Sequence, residues 1–260
     1  MNKQQIIALG AASVLFLILF FGFDIIPEKQ KELEKSRMLK IESTSVDNLI
    51  KAAFKELDKS KSSMIEAMNH DLEKTGTDTI KRIELLKSIS GIWYESKFPA
   101  IAGSYAQEIA ELVKSEESWS IAGTTYAICV KNATEEKTKE FCSKRAIQSF
   151  EKAISLAPDA IEPRINLAIC YVDNPDKDNP MQGILMLRDL NKQHPKNVTV
   201  LNQLGRLALQ TKQYDKALER LEAAIQLEPD NKNTNCLLAT VYQETGNQAK
   251  ADEYNKKCVN

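Results

Sequence analysis

The chain has 260 residues, of which 43% are hydrophobic and 27% charged, proportions typical of folded proteins rather than disordered ones. Lys and Arg number 35 against 36 Asp and Glu, so the net charge of −1 disfavours nucleic acid or another polyanion as a partner. Only nine residues are Gly, while Ala, Leu, Lys, Glu and Gln dominate the composition. This composition favours helix over sheet.

A short tail, residues 1–5, precedes a hydrophobic segment over residues 6–26. Its first part, residues 6–23, carries no charge and as a helix would span about 27 Å, near the thickness of a bilayer core. A cleavable signal peptide is the alternative, but the bulky Phe20, Phe21 and Phe23 leave no small-residue cleavage site. We therefore predict a retained, single-pass transmembrane anchor.

The next segment, residues 27–44, mixes charges of both signs with few apolar side chains, as in a solvated stalk or linker. Basic residues are more frequent here than in the tail, where Lys3 stands alone, and this bias would keep the body in the cytoplasm. However, a short positive tail before an apolar run also begins an export signal, and long domains cross largely regardless of flanking charge. We predict a periplasmic body, with the cytoplasmic side as the alternative.

Residues 45–115 are predicted to form an N-terminal helical region. Apolar side chains recur there every three or four positions, first from Val46 to Leu57 and again from Met64 to Leu72. The sequence TGTDT, starting at Thr75, supplies a helix stop and then an N-cap candidate.

A particular spacing of small residues recurs in the rest of the chain. Gly205, Ala217, Ala224 and Pro229 follow the pattern G-x11-A-x6-A-x4-P, and residues 119–126 read W-x2-A-G-x2-Y. These motifs resemble those of tetratricopeptide repeat (TPR) proteins. The resemblance implies an α-solenoid of helix hairpins, in which small residues let helices approach closely and Pro ends each unit.

The resemblance covers residues 116–260 and extends in a divergent form to residues 79–115. The predicted units of the TPR domain are residues 116–160, 161–197, 198–231 and 232–260. Each unit alone cannot bury its apolar face, so stacking of successive units makes the core.

TPR resemblance also implies a concave groove, lined by the first helix of each unit, that binds a protein or peptide segment. We predict that the groove is lined by twelve side chains lying between the core positions of those helices. They are Ser120, Thr124, Ala127, Ile165, Ile169, Val172, Asn202, Arg206, Leu209, Cys236, Thr240 and Gln243. These positions lack the Lys and Asn clamp of the family's chaperone-tail binders, and Arg206 could pair with an acidic group.

The five Cys include no C-x-x-C pair and no set with metal-ligand spacing, so we predict neither a metal nor a cofactor. Cys129 and Cys142 could form a disulfide across a helix hairpin, or both could be small buried apolar residues. Between them begins NATEEKTKEFCSK, residues 132–144, an extension relative to the other units. It could be a specificity loop or a surface elongation.

No catalytic arrangement is recognisable in the sequence. It contains no P-loop, G-x-S-x-G or H-E-x-x-H motif, and for His70 and His194 a capping or helix-dipole role is expected instead of catalysis. We predict a non-enzymatic, membrane-anchored scaffold or chaperone-like protein that binds a protein or peptide segment and no small-molecule substrate.

The layout of one span followed by a repeat domain is similar to that of the ancillary, chaperone-like repeat proteins of bacterial Sec translocons, which implies envelope protein export or assembly. Two alternatives stay open. The chain could be a membrane adaptor facing the cytoplasm. It could also be a docking subunit of an enzyme complex, with an unrecognised site in residues 40–115, where Glu66, His70 and Asp71 are close in sequence.

Overall fold

A computed structural model describes residue 5 and residues 45–259. The predicted anchor and stalk, residues 6–44, therefore lie outside the described residues, as does the tail apart from Gln5. Within the described part, no helix is both long and apolar enough to cross a membrane. Residues 49–260 form one compact unit, and residues 1–48 are assigned to another.

The secondary structure of residues 45–259 is α-helical, without strands, which confirms the predicted all-α solenoid. The helices are α1 (Val46–Ala53), α2 (Lys59–Glu73), α3 (Thr79–Glu95), α4 (Pro99–Val113), α5 (Glu116–Asn132), α6 (Glu136–Leu156), α7 (Ile161–Asp173), α8 (Gln182–Gln193), α9 (Val198–Gln210), α10 (Tyr214–Leu227), α11 (Lys232–Glu244) and α12 (Gln248–Val259). From α2 onward each helix packs against the next. The paired helices α3–α4, α5–α6, α7–α8, α9–α10 and α11–α12 are the hairpins of the solenoid.

Local sequence signals set where many of these helices begin. The side chains of Asp58, Asp78, Ser115, Asn197 and Asn231 each accept a hydrogen bond from a backbone N–H in the first turn of the helix that follows. Such caps satisfy donors that the helix itself leaves unpaired.

Proline residues follow the second helices of three hairpins. The second helices α6, α8 and α10 end two residues before Pro158, Pro195 and Pro229 respectively. The residue that precedes a proline is disfavoured in the α conformation, so the chain leaves the helix there.

Glycines on the first helices bring neighbouring helices into close contact. A Cβ atom at Gly205 would lie 2.8 Å from the Leu221 side chain, and one at Gly123 would lie 2.7 Å from the Phe150 ring. Real Cβ atoms essentially never approach so closely, so a larger residue at either position would force the facing side chain to shift. The repeat spacing in the sequence is thus a packing pattern.

The α5–α6 hairpin is longer than the others. α6 has 21 residues and α5 has 17, compared with 14 for α10 and 13 for α9. The extension expected as a loop or elongation is therefore mostly helix, and only residues 133–135 connect α5 to α6.

A disulfide joins the two helices of this long hairpin. Cys129 and Cys142 are bonded, with their Cα atoms 6.0 Å apart, and both side chains are buried. The sequence left open whether Cys129 and Cys142 form a disulfide or are small buried apolar residues, and in the structure they form the disulfide. The bond lies in the long α5–α6 hairpin, near the end of α5 and the start of α6, and it holds these two helix ends together.

Candidate functional site

The first helices of successive hairpins lie side by side. α5 contacts α7, α7 contacts α9, and α9 contacts α11, in addition to the contacts each makes with its own hairpin partner. Side chains between the core positions of these helices therefore share one surface, which is where the sequence predicts the groove.

A cavity of about 140 Å³ opens between α5 and α7, above α6. Three of the predicted groove residues, Thr124, Ala127 and Ile169, line it together. Its floor includes Phe150 and Cys170, which are 1% and 7% exposed. The cavity is thus a small, mainly apolar depression that could accept a side chain of a bound segment.

Polar groups surround this apolar floor. Lys131 at the end of α5 is exposed, and Asp173 lies at the end of α7. Ser143 on α6 is buried, and its Oγ accepts a hydrogen bond of 2.8 Å from Asn174 Nδ2. These groups would orient a segment whose apolar side chain enters the cavity.

The expectation that Arg206 awaits an acidic partner from outside needs correction. Its Nη2 donates to Asp173 Oδ1 across 3.1 Å, and its Nε donates to Gln203 Oε1 across 3.0 Å. Arg206 is therefore already paired, and it connects α9 to the end of α7 beside the cavity.

Two further predicted residues are buried and do not face an open groove. Ile165 is fully buried in a core cluster that includes Leu187 and Val200. Asn202 is 2% exposed, and its Oδ1 accepts a hydrogen bond of 2.9 Å from Thr234 Oγ1. The sequence pattern predicts which residues share a helical face, but it does not predict which neighbouring helix covers that face. Ile165 and Asn202 were therefore predicted to be at the surface.

Cys236 has a different role from the one predicted. It forms a disulfide with Cys258, with a Cα–Cα distance of 4.8 Å, which joins the last two helices of the described chain. Its sulfur is therefore engaged in a covalent bond within the solenoid, and Cys170 is the one free cysteine among the described residues.

The remaining predicted residues are at least partly accessible, and they lie apart from the cavity. Ser120 Oγ donates to Glu116 Oε1 across 2.7 Å, and Thr240 Oγ1 donates to the Cys236 carbonyl across 3.0 Å. Leu209 packs beside the core of the last hairpins, and Gln243 is exposed. Val172 lies against Gly183 of α8.

The cavity also contains residues that the sequence analysis did not name. Asn166, Cys170 and Asp173 line it from α7 and are four and three residues apart in sequence. This helical spacing is the signal that could have found them, because such positions share one face.

Burial changes the chemistry of two groups in this region. The pKa of the Cys170 thiol is raised to about 12, chiefly by burial and further by the nearby Asp173 carboxylate, with Lys131 acting in the opposite direction. The pKa of Tyr126 is also raised, mainly by burial. Both groups are therefore neutral at physiological pH, and Cys170 is a poor nucleophile.

No arrangement typical of a metal centre is present in the described residues. No group of three or more His, Cys, Asp or Glu side chains is placed to hold a metal ion there. His70 and His194 are both exposed, and His194 is the C-cap residue of α8. Asp71, beside His70, lies 3.9 Å from Lys74 Nζ.

Residues 205–246, from the middle of α9 to the turn before α12, match the family model described as TPR repeat. This stretch is similar to a tetratricopeptide repeat. The helix hairpins agree with a solved TPR protein of Thermus thermophilus at a TM-score of 0.52 and 17% identity, over 68% of this chain and 90% of that one. This likeness shows the fold.

Two other solved structures are similar at lower TM-scores. MamA from Desulfovibrio magneticus RS-1 has a TM-score of 0.45 and 18% identity, over 68% of this chain and 93% of its own. YrrB, described as a TPR protein with an unusual peptide-binding site, has a TM-score of 0.39 and 17% identity, over 75% of this chain and 92% of its own. No curated protein matches this chain.

Proposed function

We propose that this protein is a membrane-anchored, non-enzymatic TPR scaffold or chaperone-like protein that binds a segment of another protein on its exported side. The observation that carries the proposal is the apolar cavity between α5 and α7, on the surface formed by the first helices. Binding by exposed first helices is what the TPR fold offers, because its second helices and small residues are used in packing.

The cavity suits a protein segment better than a free metabolite. Its floor is apolar, and the described residues around it offer no cluster of charges for a small anionic or cationic substrate. A bulky aliphatic side chain of a bound segment would be desolvated against Phe150 and Ile169. Burial of an aliphatic side chain contributes about 2 kcal/mol.

The two disulfides support an exported body. Cys129–Cys142 and Cys236–Cys258 each join the two helices of one hairpin. Disulfides persist in oxidising compartments and are rare where thiols are kept reduced. This consideration favours the periplasmic side over the cytoplasmic adaptor.

The anchor is supported by the sequence of residues 6–26, which combines a charge-free run long enough to span a bilayer with the absence of a small-residue cleavage site. With one span, the TPR domain would be held near the membrane surface. A tethered scaffold of this kind would serve export or assembly of envelope proteins.

Sidedness is tested by protease treatment of cells with and without permeabilisation of the outer layer, followed by detection of the TPR domain. We expect the domain to be cleaved in spheroplasts while a cytoplasmic marker stays intact. Protection of the domain in spheroplasts, together with cleavage after lysis, would instead establish the cytoplasmic adaptor.

Groove binding is tested with a photo-crosslinking amino acid at position 124, on the exposed rim of the cavity. We expect crosslinks to a defined protein in membranes from position 124 and also from position 131. The crosslinks from position 131 should be lost when Thr124→Arg blocks the cavity. Gln226→Arg, at an exposed position on the second helix α10, is the matched control. Crosslinks that persist in Thr124→Arg would contradict binding at this cavity.

A further inference from the structure

A polar pocket of about 470 Å³ lies between α4 and α6, on the side of the solenoid formed by the second helices. Among the described residues that line it, only Trp119, near the start of α5, belongs to a first helix. None of the twelve predicted groove residues lines it. Pockets that hold small ligands typically measure about 300–1,000 Å³. We call this site the α4–α6 pocket, and it is separate from the surface proposed to bind protein.

A hydrogen-bond network sets the α4 wall of this pocket. Gln107 Oε1 accepts from the Tyr126 hydroxyl across 3.3 Å and from Arg145 Nη1 across 3.4 Å. An arginine can only donate, so the Gln107 amide turns its oxygen towards Arg145 and its nitrogen the other way. That nitrogen, Nε2, donates to Glu111 Oε1 across 2.9 Å. The orientation of the Glu111 carboxylate is therefore set by groups behind the wall.

The groups behind the wall are themselves held in place. Tyr126 is 1% exposed, and its burial raises the pKa of the hydroxyl, which therefore stays protonated and able to donate. The guanidinium carbon of Arg145 lies 5.6 Å from the centroid of the Phe141 ring. Side chains fixed in this way lose less conformational freedom when a ligand binds, which is how preformed binding sites gain affinity.

The other walls of the pocket offer both donors and acceptors. Trp119 is partly buried, and its indole N–H has no hydrogen-bond partner among the described residues. Glu151 and Lys152 are exposed on α6, and neither forms an ion pair within the described part of the chain. Gln148 lies on the same face of α6, and its amide can donate and accept. These groups are free to bind a ligand.

This mixture of groups restricts the chemistry of the ligand. The carboxylates of Glu111 and Glu151 disfavour an anion, whereas the ammonium group of Lys152 disfavours a simple cation. An apolar molecule would desolvate these polar groups without giving them partners. A neutral sugar meets all three conditions, because each hydroxyl both donates and accepts, and the C–H face of a pyranose ring can lie on the Trp119 indole.

We propose that the α4–α6 pocket binds a neutral pyranose unit of a glycan, with the sugar ring against Trp119 and its hydroxyls hydrogen-bonded to Glu111 and Glu151. This binding activity is additional to protein binding at the α5–α7 cavity, and neither requires the other. It would allow one protein to hold a polysaccharide and a protein segment at the same time.

The first test uses the two tryptophans of the chain as reporter and internal control. Full-length protein labelled with fluorotryptophan is held in lipid nanodiscs and titrated with methyl β-glucoside, methyl β-galactoside, methyl α-mannoside and N-acetylglucosamine, and fluorine NMR is recorded. We expect at least one sugar to shift the Trp119 signal saturably, while the signal of the fully buried Trp93 stays unchanged. Trp93→Phe assigns the two signals. No shift with any of these sugars, or equal shifts of both signals, would overturn the proposal.

The second test locates the bound sugar with substitutions. Glu151→Ala should weaken the affinity at least tenfold, because it removes a charged acceptor. Glu140→Ala, at an exposed position of α6 outside the pocket, is the matched control and should leave the affinity within twofold. Gln107→Met, measured well below its melting temperature, should also weaken binding, because Glu111 then loses the group that orients it. An affinity unchanged by Glu151→Ala would place the sugar elsewhere and contradict the proposal.

The third test examines the class of ligand with charged compounds. The uronic acid of the bound sugar should bind at least tenfold more weakly than the neutral form, because its carboxylate would face Glu111 and Glu151. Arginine amide, a cation, should not displace the sugar. Saturable binding of arginine amide without binding of any sugar would establish a cation site and overturn this inference. Crosslinking at position 124 measures protein binding independently, so the proposed function would then still stand.

Discussion

Gly183 of α8 lies so close to Ala168 of α7 that a Cβ atom at position 183 would be 2.5 Å from the Ala168 carbonyl oxygen and 2.6 Å from the Val172 backbone nitrogen. Because both neighbours are backbone atoms of a helix, they cannot move aside as a side-chain tip can. The close contact of α7 and α8 therefore depends on this glycine more strictly than the contacts at Gly123 and Gly205, where side chains face the glycine.

We predict that Gly183→Ala lowers the free energy of unfolding by about 2 kcal/mol, within the range for overpacked cores. Chemical denaturation followed by circular dichroism measures it. Gly91→Ala, with open space around the new methyl group, is the matched substitution and should have the opposite sign. Equal effects of the two would mean that α7 and α8 are not packed as described.

The hydrogen bond between Thr234 and Asn202 predicts a buried polar contribution to stability. Thr234 is fully buried, and its Oγ1 donates to Asn202 Oδ1, so Thr234→Val leaves that acceptor without its partner. The expected loss is about 1–2 kcal/mol in the free energy of unfolding. The control is Thr240→Val on the exposed side of the same helix, where the change should stay within about 0.5 kcal/mol.

The two disulfides should differ in their rate of reduction. Cys129 and Cys142 are buried, whereas Cys236 and Cys258 are partly exposed near the end of the described chain. Thiol–disulfide exchange requires access to sulfur. We expect dithiothreitol to reduce Cys236–Cys258 first in the native protein, as measured by alkylation and peptide mass spectrometry. Simultaneous reduction of both bonds would argue that the long hairpin opens readily.

The raised pKa of Cys170 predicts a characteristic pH dependence. Iodoacetamide should alkylate this thiol slowly at pH 8 in the native protein, with a rate that keeps rising towards pH 12, while in urea the rate levels off above the ordinary thiol pKa of about 8.5. Since the folded pKa exceeds the unfolded one, the contribution of the neutral thiol to stability is complete below about pH 8.5 and is lost as pH rises towards 12. Cys170→Ala should remove that part of the pH dependence.

The sequence predicts the helices and their repeat well because those features depend on local spacing. The small residues at 205, 217 and 224 and the proline at 229 mark one hairpin without knowledge of any other part of the chain. The predicted site was less accurate, because accessibility depends on neighbours distant in sequence. Asn202 lies at a plausible groove position, yet α11 covers it through Thr234, 32 residues away.

The Cys236–Cys258 disulfide could not be predicted from local sequence patterns either. Cys236 and Cys258 are separated by 22 residues and have no recognisable motif, so their disulfide depends on the antiparallel arrangement of α11 and α12. Gly91 is the reverse case: its residue type is visible in the sequence, but its lack of any packing partner becomes evident only from the positions of all surrounding atoms.

The burial of Cys142 also constrains how the protein is made. In the folded chain this residue is fully enclosed in a cluster that includes Leu167 and Cys170 of α7. A protein-sized oxidant can therefore reach the Cys129 and Cys142 thiols only before α7 closes over α6. During biogenesis, oxidation of the long hairpin by such an oxidant would precede the docking of the hairpin that follows it.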